Sequence, residues 1–267
     1  PVDEAHSLKP SSAYGLTKLL GEEIVRWAGR SARLPFTILR FSHTQDATEL
    51  LDPDSFFSGP RFFLQPRIRQ QETFGNRAVV EKLRSVDDGR PAMVLARNES
   101  GRPFRMHITD ARDMVAGLLL AFDTPATAGE TYNLGATDAV DFADALPKLA
   151  AVTGYPLRVV DLPGAGVFYE TSNAKFRKAT GFRPAWPFDR MIEEAAIAWR
   201  DIPGGAAALA KGLYLLDVIG ERDHPARFKD LQIASGLPKG TLSRMLATLV
   251  AFRLVRHEPS DNTYRLG

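Results

Sequence analysis

A chain of 267 residues has room for one large or two ordinary domains, and 44% hydrophobic with 25% charged residues is the composition of a globular protein. The formal net charge is +2 at pH 7, cysteine is absent, and no apolar run reaches the ~18 residues of a membrane span. Disulfides, cysteine-ligated metals and a spanning helix are thereby excluded, the five scattered histidines offer no metal site, and a cytoplasmic setting is expected.

The sequence opens on Pro1 rather than Met and without a signal-peptide pattern, so it reads as a fragment or a processed product. Its first helix carries the sharpest motif. Pro10-Ser11-Ser12 supplies a helix start with Ser11 or Ser12 as N-cap, and Leu16, Leu20, Ile24 and Trp27 form one apolar stripe to about Gly29. Tyr14 and Lys18, four residues apart, fall on the same helix face. A free tyrosine titrates near pH 10, and an ammonium beside it favours the phenolate. Such a pair can pass a proton to and from a substrate hydroxyl. Tyr-x-x-x-Lys alone also falls by chance on surface helices.

In its context, Pro1-Val2-Asp3-Glu4 followed by Lys9 to Lys18, the motif resembles the active-site segment of the extended short-chain dehydrogenases, the NAD-dependent epimerase/dehydratase family. The likeness runs, with decreasing sharpness, to about Trp199. It implies that Tyr14 and Lys18 are the catalytic pair and contact the cofactor, NAD or NADP, and that the substrate is a small sugar or nucleotide sugar. The family's Gly-rich phosphate-binding turn and its catalytic Ser or Thr come earlier in its order than this sequence reaches. The chain alone is therefore not expected to bind the dinucleotide.

Phe36 to Phe41 is β-branched and apolar, as expected of a buried parallel strand, and ligands gather at the C-terminal ends of such strands. Ser42, His43 and Thr44 fall at that end. Related enzymes commonly carry an Asn three residues after the Arg of this strand, contacting a sugar diphosphate; here the position is His43, a substrate ligand or a surface loop residue. Residues 45–76 hold no clean periodicity. Phe56 to Arg69 mixes aromatics with arginines, which suits either a clamp on a phosphate or carboxylate or a packed loop with solvated charges.

Met93 to Ala96 reads as a strand with a turn at Asn98 to Gly101. Phe104 to Asp110 resembles the family's strand leading to an Asp-capped helix, which makes Arg105 a substrate candidate, or a surface salt-bridge residue, and Asp110 a cap. Met114, Leu118 and Phe122 give the next helix its stripe, and Glu130 to Gly135 resembles a late scaffold strand. A helix from Asp141 weakened by Pro147, a strand at Leu157 to Asp161, a helix ending on Gly181 and a helix through Met191 to Trp199 follow, and together they resemble the family's substrate lobe.

Asp201 to Gly205 is a Pro/Gly breaker cluster, and it sets the expected boundary between a domain of residues 1–204 and one of residues 205–267. The second part holds nine Lys/Arg against six Asp/Glu, a net of +3, while the first carries −1. A helix over Ala207 to Ile219, a short helix closed by Gly236, and a third helix beginning at Pro238 follow the helix-turn-helix plan, with Leu242, Met245, Leu246 and Leu249 toward the core. Leu254 to His257, a turn, and Thr263 to Leu266 form a hairpin wing. Gly236 to Arg244 together with Tyr264 to Gly267 resembles the IclR-type transcriptional regulators. The resemblance places the third helix in a DNA major groove with Lys239, Thr241, Ser243 and Arg244 facing double-stranded DNA, and Arg256, His257 and Arg265 on phosphates. A winged helix used only for protein contacts is the alternative.

The expected fold is therefore α/β: a partial doubly wound, Rossmann-type domain with a substrate lobe, plus a small winged helix-turn-helix domain. The chain reads as a composite of a truncated NAD-dependent sugar epimerase or dehydratase and a DNA-binding regulator module. DNA binding is the favoured activity; a homodimer is one assembly open to it, and the oligomeric state is not readable from the sequence. The alternative is an epimerase whose cofactor half lies elsewhere, or a fusion of remnants in which neither activity survives. No membrane or metal partner is expected.

Overall fold

The computed structural model describes residues 1–201, 207–222, 224–237 and 239–267. The breaker residues 202–205 and Pro238 lie outside the described residues. The elements in chain order begin with α1 (Ala13–Ala32), β1 (Ile38–Phe41), β2 (His43–Gln45), α2 (Ser58–Phe62), α3 (Leu64–Thr73) and α4 (Arg77–Arg84). Next come β3 (Met93–Arg97), β4 (Arg105–Met106), β5 (Ile108–Asp110), α5 (Ala111–Asp123), β6 (Thr131–Leu134), β7 (Val140–Asp141) and α6 (Phe142–Thr153). Then follow β8 (Leu157–Asp161), β9 (Phe168–Tyr169), α7 (Ala174–Thr180) and α8 (Phe188–Asp201). The C-terminal part holds α9 (Ala207–Gly220), β10 (Ala226–Arg227), α10 (Phe228–Ser235), α11 (Lys239–Ala251), β11 (Val255–Glu258) and β12 (Thr263–Leu266).

Three parallel pairs carry the α/β part: β1 with β6, β2 with β5, and β3 with β8. Strand β4 lies between β7 and β9 in a small mixed sheet. The largest core gathers Phe62, Phe63 and Leu64 around Met93, Leu146 and Leu149, beneath Met191 and Ala195 of α8. A second cluster joins Met114 and Ala121 to Tyr132, Leu134, Phe176 and Phe182. The third core, Leu215, Leu231, Leu242, Leu246, Leu249 and Val255, belongs to the C-terminal part alone.

Helix α1 starts where expected, with the Gly15 N–H donating to Ser12 Oγ at 3.1 Å. Its apolar stripe is the opposite of buried. Leu16, Leu20, Ile24 and Trp27 are all exposed, and α1 contributes no buried residue. The helix docks by its polar side instead: Glu22 accepts two hydrogen bonds from Arg40 of β1, and Arg26 reaches Thr131 of β6. The Arg40 guanidinium, with Arg26 helping, holds the Glu22 carboxyl below its usual range against the opposing effect of burial. Strand β1 is parallel as expected but only Ile38 is buried, with Phe41 exposed, because it pairs with β6 on one side.

The stripe expected on α5 is likewise displaced. Met114 is buried, but Leu118 is exposed and Phe122 is 90% exposed. The helix buries Met114, Gly117 and Ala121 because small residues let it approach β6; a Cβ at Gly117 would lie 2.4 Å from Leu134 Cδ1. The span 45–76, without clear period in the sequence, folds into α2 and α3, whose Leu64 and Ile68 are buried one turn apart. Asp110 caps α5 by accepting from the Arg112 N–H at 2.9 Å.

In the C-terminal part α10 ends on Gly236 at φ 65, a left-handed C-cap that glycine adopts without strain. Helix α11 follows, and β12 pairs antiparallel with β11 and with β10, so the wing has three strands rather than a simple hairpin. Ala226 and Arg227 gave too short a signal to read as a strand.

Candidate functional site

Tyr14 and Lys18 sit on the first turns of α1, both exposed, with Lys18 Nζ 5.0 Å from the Tyr14 ring centroid. One ligand could touch both side chains from the solvent side of the helix.

His43 does not lie in a surface loop. It opens β2, opposite Ile108 of β5, and its ring meets Phe57 edge-on at 4.4 Å. Arg61 Nη1 donates to His43 Nε2 at 2.7 Å. Since guanidinium only donates, Nε2 is the bare nitrogen and the imidazole is neutral. Burial, reinforced by the Arg61 charge, lowers the His43 pKa to about 4. Arg61 is itself pushed down to about 10 by burial and by the charge of Arg67, and burial does the same to Arg67. Both remain cations at neutral pH. Arg105 lies on β4 with its Nε 3.8 Å from Glu170, an ion pair at the limit of contact, and that Nε has no hydrogen-bond partner.

His107, one strand end away, is buried and fully occupied: its Nδ1 accepts from the Thr171 N–H at 3.0 Å and its Nε2 faces the Thr137 carbonyl. It is a structural histidine. Arg112 is similarly consumed, bonded to Asp110 and Glu194 and lying 3.3 Å from the Trp186 ring centroid.

On the C-terminal part Lys239, Ser243 and Arg244 are exposed along α11. Thr241 corrects the expected DNA-facing set. It is 6% exposed, because it turns with Leu242 toward the core while the exposed face runs through Lys239 and Ser243. Arg244 lies at the edge of that face, with Nη2 3.9 Å from Asp54 of the α/β part. On the wing, Arg256 and Arg265 are direct cross-strand partners, both exposed. Neither has a carboxylate within ion-pair reach among the described residues. His257 stacks on Tyr264 at 4.6 Å and donates from Nε2 to Asn262 Oδ1 at 2.9 Å, which stiffens the wing tip.

Comparison with known proteins finds a likeness for each part. The profile of the NAD dependent epimerase/dehydratase family matches residues 1–47, and that of the IclR helix-turn-helix domain matches residues 208–259. A short-chain dehydrogenase/reductase superfamily protein from Agrobacterium tumefaciens, solved with bound NAD, is 64% identical with a TM-score of 0.73, covering 75% of this chain and 61% of that one. A UDP-glucuronic acid 4-epimerase from Bacillus cereus shares the fold at 18% identity and a TM-score of 0.52, covering 75% of this chain and 56% of that one. A candidate UDP-glucose 4-epimerase of Methanocaldococcus jannaschii is 34% identical over 71 residues, 27% of this chain and 23% of that protein. The chain thus spans less than two thirds of the length of these relatives. No helix among the described residues is long and apolar enough to cross a membrane. The chain thus joins a part whose fold is that of a short-chain dehydrogenase/reductase protein, and whose start matches the epimerase/dehydratase profile, to a part that matches the IclR helix-turn-helix profile.

Proposed function

We propose that residues 205–267 form a DNA-binding unit, that residues 1–204 form a separate enzyme-type unit, and that binding double-stranded DNA is the principal activity of this chain. The observation that carries the reading is the Arg256–Arg265 pair. Like charges directly opposite on two strands repel, and a polyanion laid across the wing would relieve that repulsion. A DNA phosphate supplies the missing charge. Helix α11 enters the major groove, Lys239 and Ser243 near its N-terminal end reach the bases, and Arg244 takes guanine or a phosphate. Thr241 holds the helix to its core instead of reading DNA. A homodimer would set two such helices on half-sites about 34–36 Å apart.

The test is fluorescence anisotropy of the full chain with duplex DNA across a salt series. Arg256→Ala and Arg265→Ala should each flatten the slope of log affinity against log salt by roughly 1. Absence of binding at low salt, or slopes unchanged in both variants, refutes the assignment.

A second reading is enzymatic, and the stacking of Lys18 over the Tyr14 ring favours it. Tyr14 would move a proton at a substrate hydroxyl while Lys18 stabilises its phenolate. NAD or NADP, when bound, supplies hydride acceptance. The described residues fit only the nicotinamide end of that cofactor, since the sequence holds no Gly-x-Gly-x-x-Gly turn to cradle a pyrophosphate. The substrate class this reading takes from the relatives is a sugar or nucleotide sugar.

A further inference from the structure

Among the half-buried arginines described in the α/β part, two have no ion-pair partner. Arg61 of α2 and Arg67 of α3 line one cavity of about 300 Å³ together with Phe56, Phe57 and Phe104. Neither arginine has a carboxylate within ion-pair distance among the described residues, whereas Arg40, Arg97, Arg112 and Arg158 each do. The Arg67 Nε is sealed from solvent without a hydrogen-bond partner. Its guanidinium lies 5.3 Å from the Phe104 ring centroid, and that of Arg61 lies 5.8 Å from Phe57. The one polar side chain bonded to Arg61 is His43, a neutral acceptor that orients the guanidinium without cancelling its charge.

Sequestering cations without a partner carries a desolvation penalty that an apolar side chain of similar length would avoid. A packed, purely structural role therefore does not account for two of them converging on one opening. Planar guanidiniums match the two oxygens of a carboxylate or the face of a phosphate. The aromatic walls and the side chains of Gln70 and Gln71, which also line the cavity, suit a ring bearing hydroxyls. The volume lies at the lower end of the range for ligand pockets, the size of a single ring rather than a nucleotide.

We propose that Arg61 and Arg67, with Arg61 oriented by His43, form a binding subsite for the anionic group of a monosaccharide-sized ligand, a sugar carboxylate or a sugar phosphate. The proposal deepens the enzymatic reading and rests on it for the identity of the ligand as a substrate. As a binding site it stands on the cavity and its unpaired cations.

The experiment is calorimetric titration of the full chain with D-glucuronate, glucose 6-phosphate and D-glucose at matched ionic strength, with thermal melting of each variant. At least one of the two anions binds and glucose does not, and the stronger arm tells carboxylate from phosphate. Arg67→Met loses the anion at least tenfold and melts at or above the wild-type temperature, because it removes an unpaired cation. Arg61→Gln weakens the same ligand. Lack of binding by both anions, or retained affinity in Arg67→Met, overturns the subsite. So does an Arg67→Met protein that melts lower or fails to fold, since the guanidinium would then be structural. Binding of inorganic phosphate or acetate as tightly as the corresponding sugar anion refutes the sugar-substrate reading and leaves the anion subsite standing. Binding of D-glucose without binding of either anion does the reverse.

Discussion

At neutral pH the His43 imidazole accepts from Arg61, and its titration is written into stability. Its pKa is about 4 in the folded protein against 6.5 for the free group, with burial the larger cause and the Arg61 charge the smaller. Between those values the unfolded chain binds more protons than the folded one, so stability rises with pH across that window. The contribution is fully present above pH 6.5 and lost as pH falls toward 4. The shift is worth on the order of 2 kcal/mol after allowing for partial solvent screening. His43→Gln keeps an acceptor for Arg61 but does not titrate. Denaturant unfolding at pH 4.5 to 7.5 should therefore show a steeper rise with pH in the wild type than in this variant. Parallel curves would mean that His43 carries no such shift. The same bond explains why one histidine after a strand is hard to interpret from sequence: Arg61, eighteen residues on, sets its protonation.

Elements in this protein are placed by close approach as much as by apolar stripes. Gly117 of α5 is the sharpest case. Alanine there would gain about 1 kcal/mol of helix propensity. Its Cβ would also lie 2.4 Å from Cδ1 and 2.9 Å from Cδ2 of Leu134, a side chain buried in the second core. Overpacking of that kind costs about 1–3 kcal/mol, so the clash outweighs the propensity. Gly117→Ala should lower unfolding free energy by about 1 kcal/mol in a denaturant titration, where helix propensity alone predicts a rise. Helix α1 shows the complementary device. It is held through Glu22, Arg26 and Arg40, while its apolar stripe remains open.

At the scale of the molecule, two cores serve residues 1–201 and one serves the C-terminal part. Between the parts, the ion pairs among the described residues are Lys211–Asp52 and Arg244–Asp54. Arg244–Asp54 is exposed and contributes at most about 1 kcal/mol, and the half-buried Lys211–Asp52 pair is a single contact, so the two together are too little to merge two unfolding events. Calorimetry of the full chain should therefore resolve two transitions. The isolated segment 206–267 should unfold cooperatively in urea, although a domain of about 60 residues is marginal by size. A single merged transition together with a non-cooperative isolated segment would overturn the division into two units.

The sequence by itself determined the two-part composition, the helix starting at Ser11 or Ser12 that carries Tyr14 and Lys18, the Asp110 cap, and the end of α10 at Gly236. Each depends on residues close together along the chain, where capping, backbone conformation and helical spacing act locally. The core face of α11 was legible in its Leu242, Leu246 and Leu249 spacing, but tertiary structure alone decided the buried faces of α1 and α5. The stripe of α1 and the Leu118 and Phe122 part of that of α5 are left exposed because β1 and β6 accept a polar helix face in one case and a face of Met114, Gly117 and Ala121 in the other. Thr241 is buried for the same kind of reason, within the packing of three helices. Arg61, Arg67 and His43 converge only once α2 and α3 fold beside β2, across a span whose sequence has no usable period. Their environment, and with it their charge state, is a property of that packing, which residue spacing does not encode.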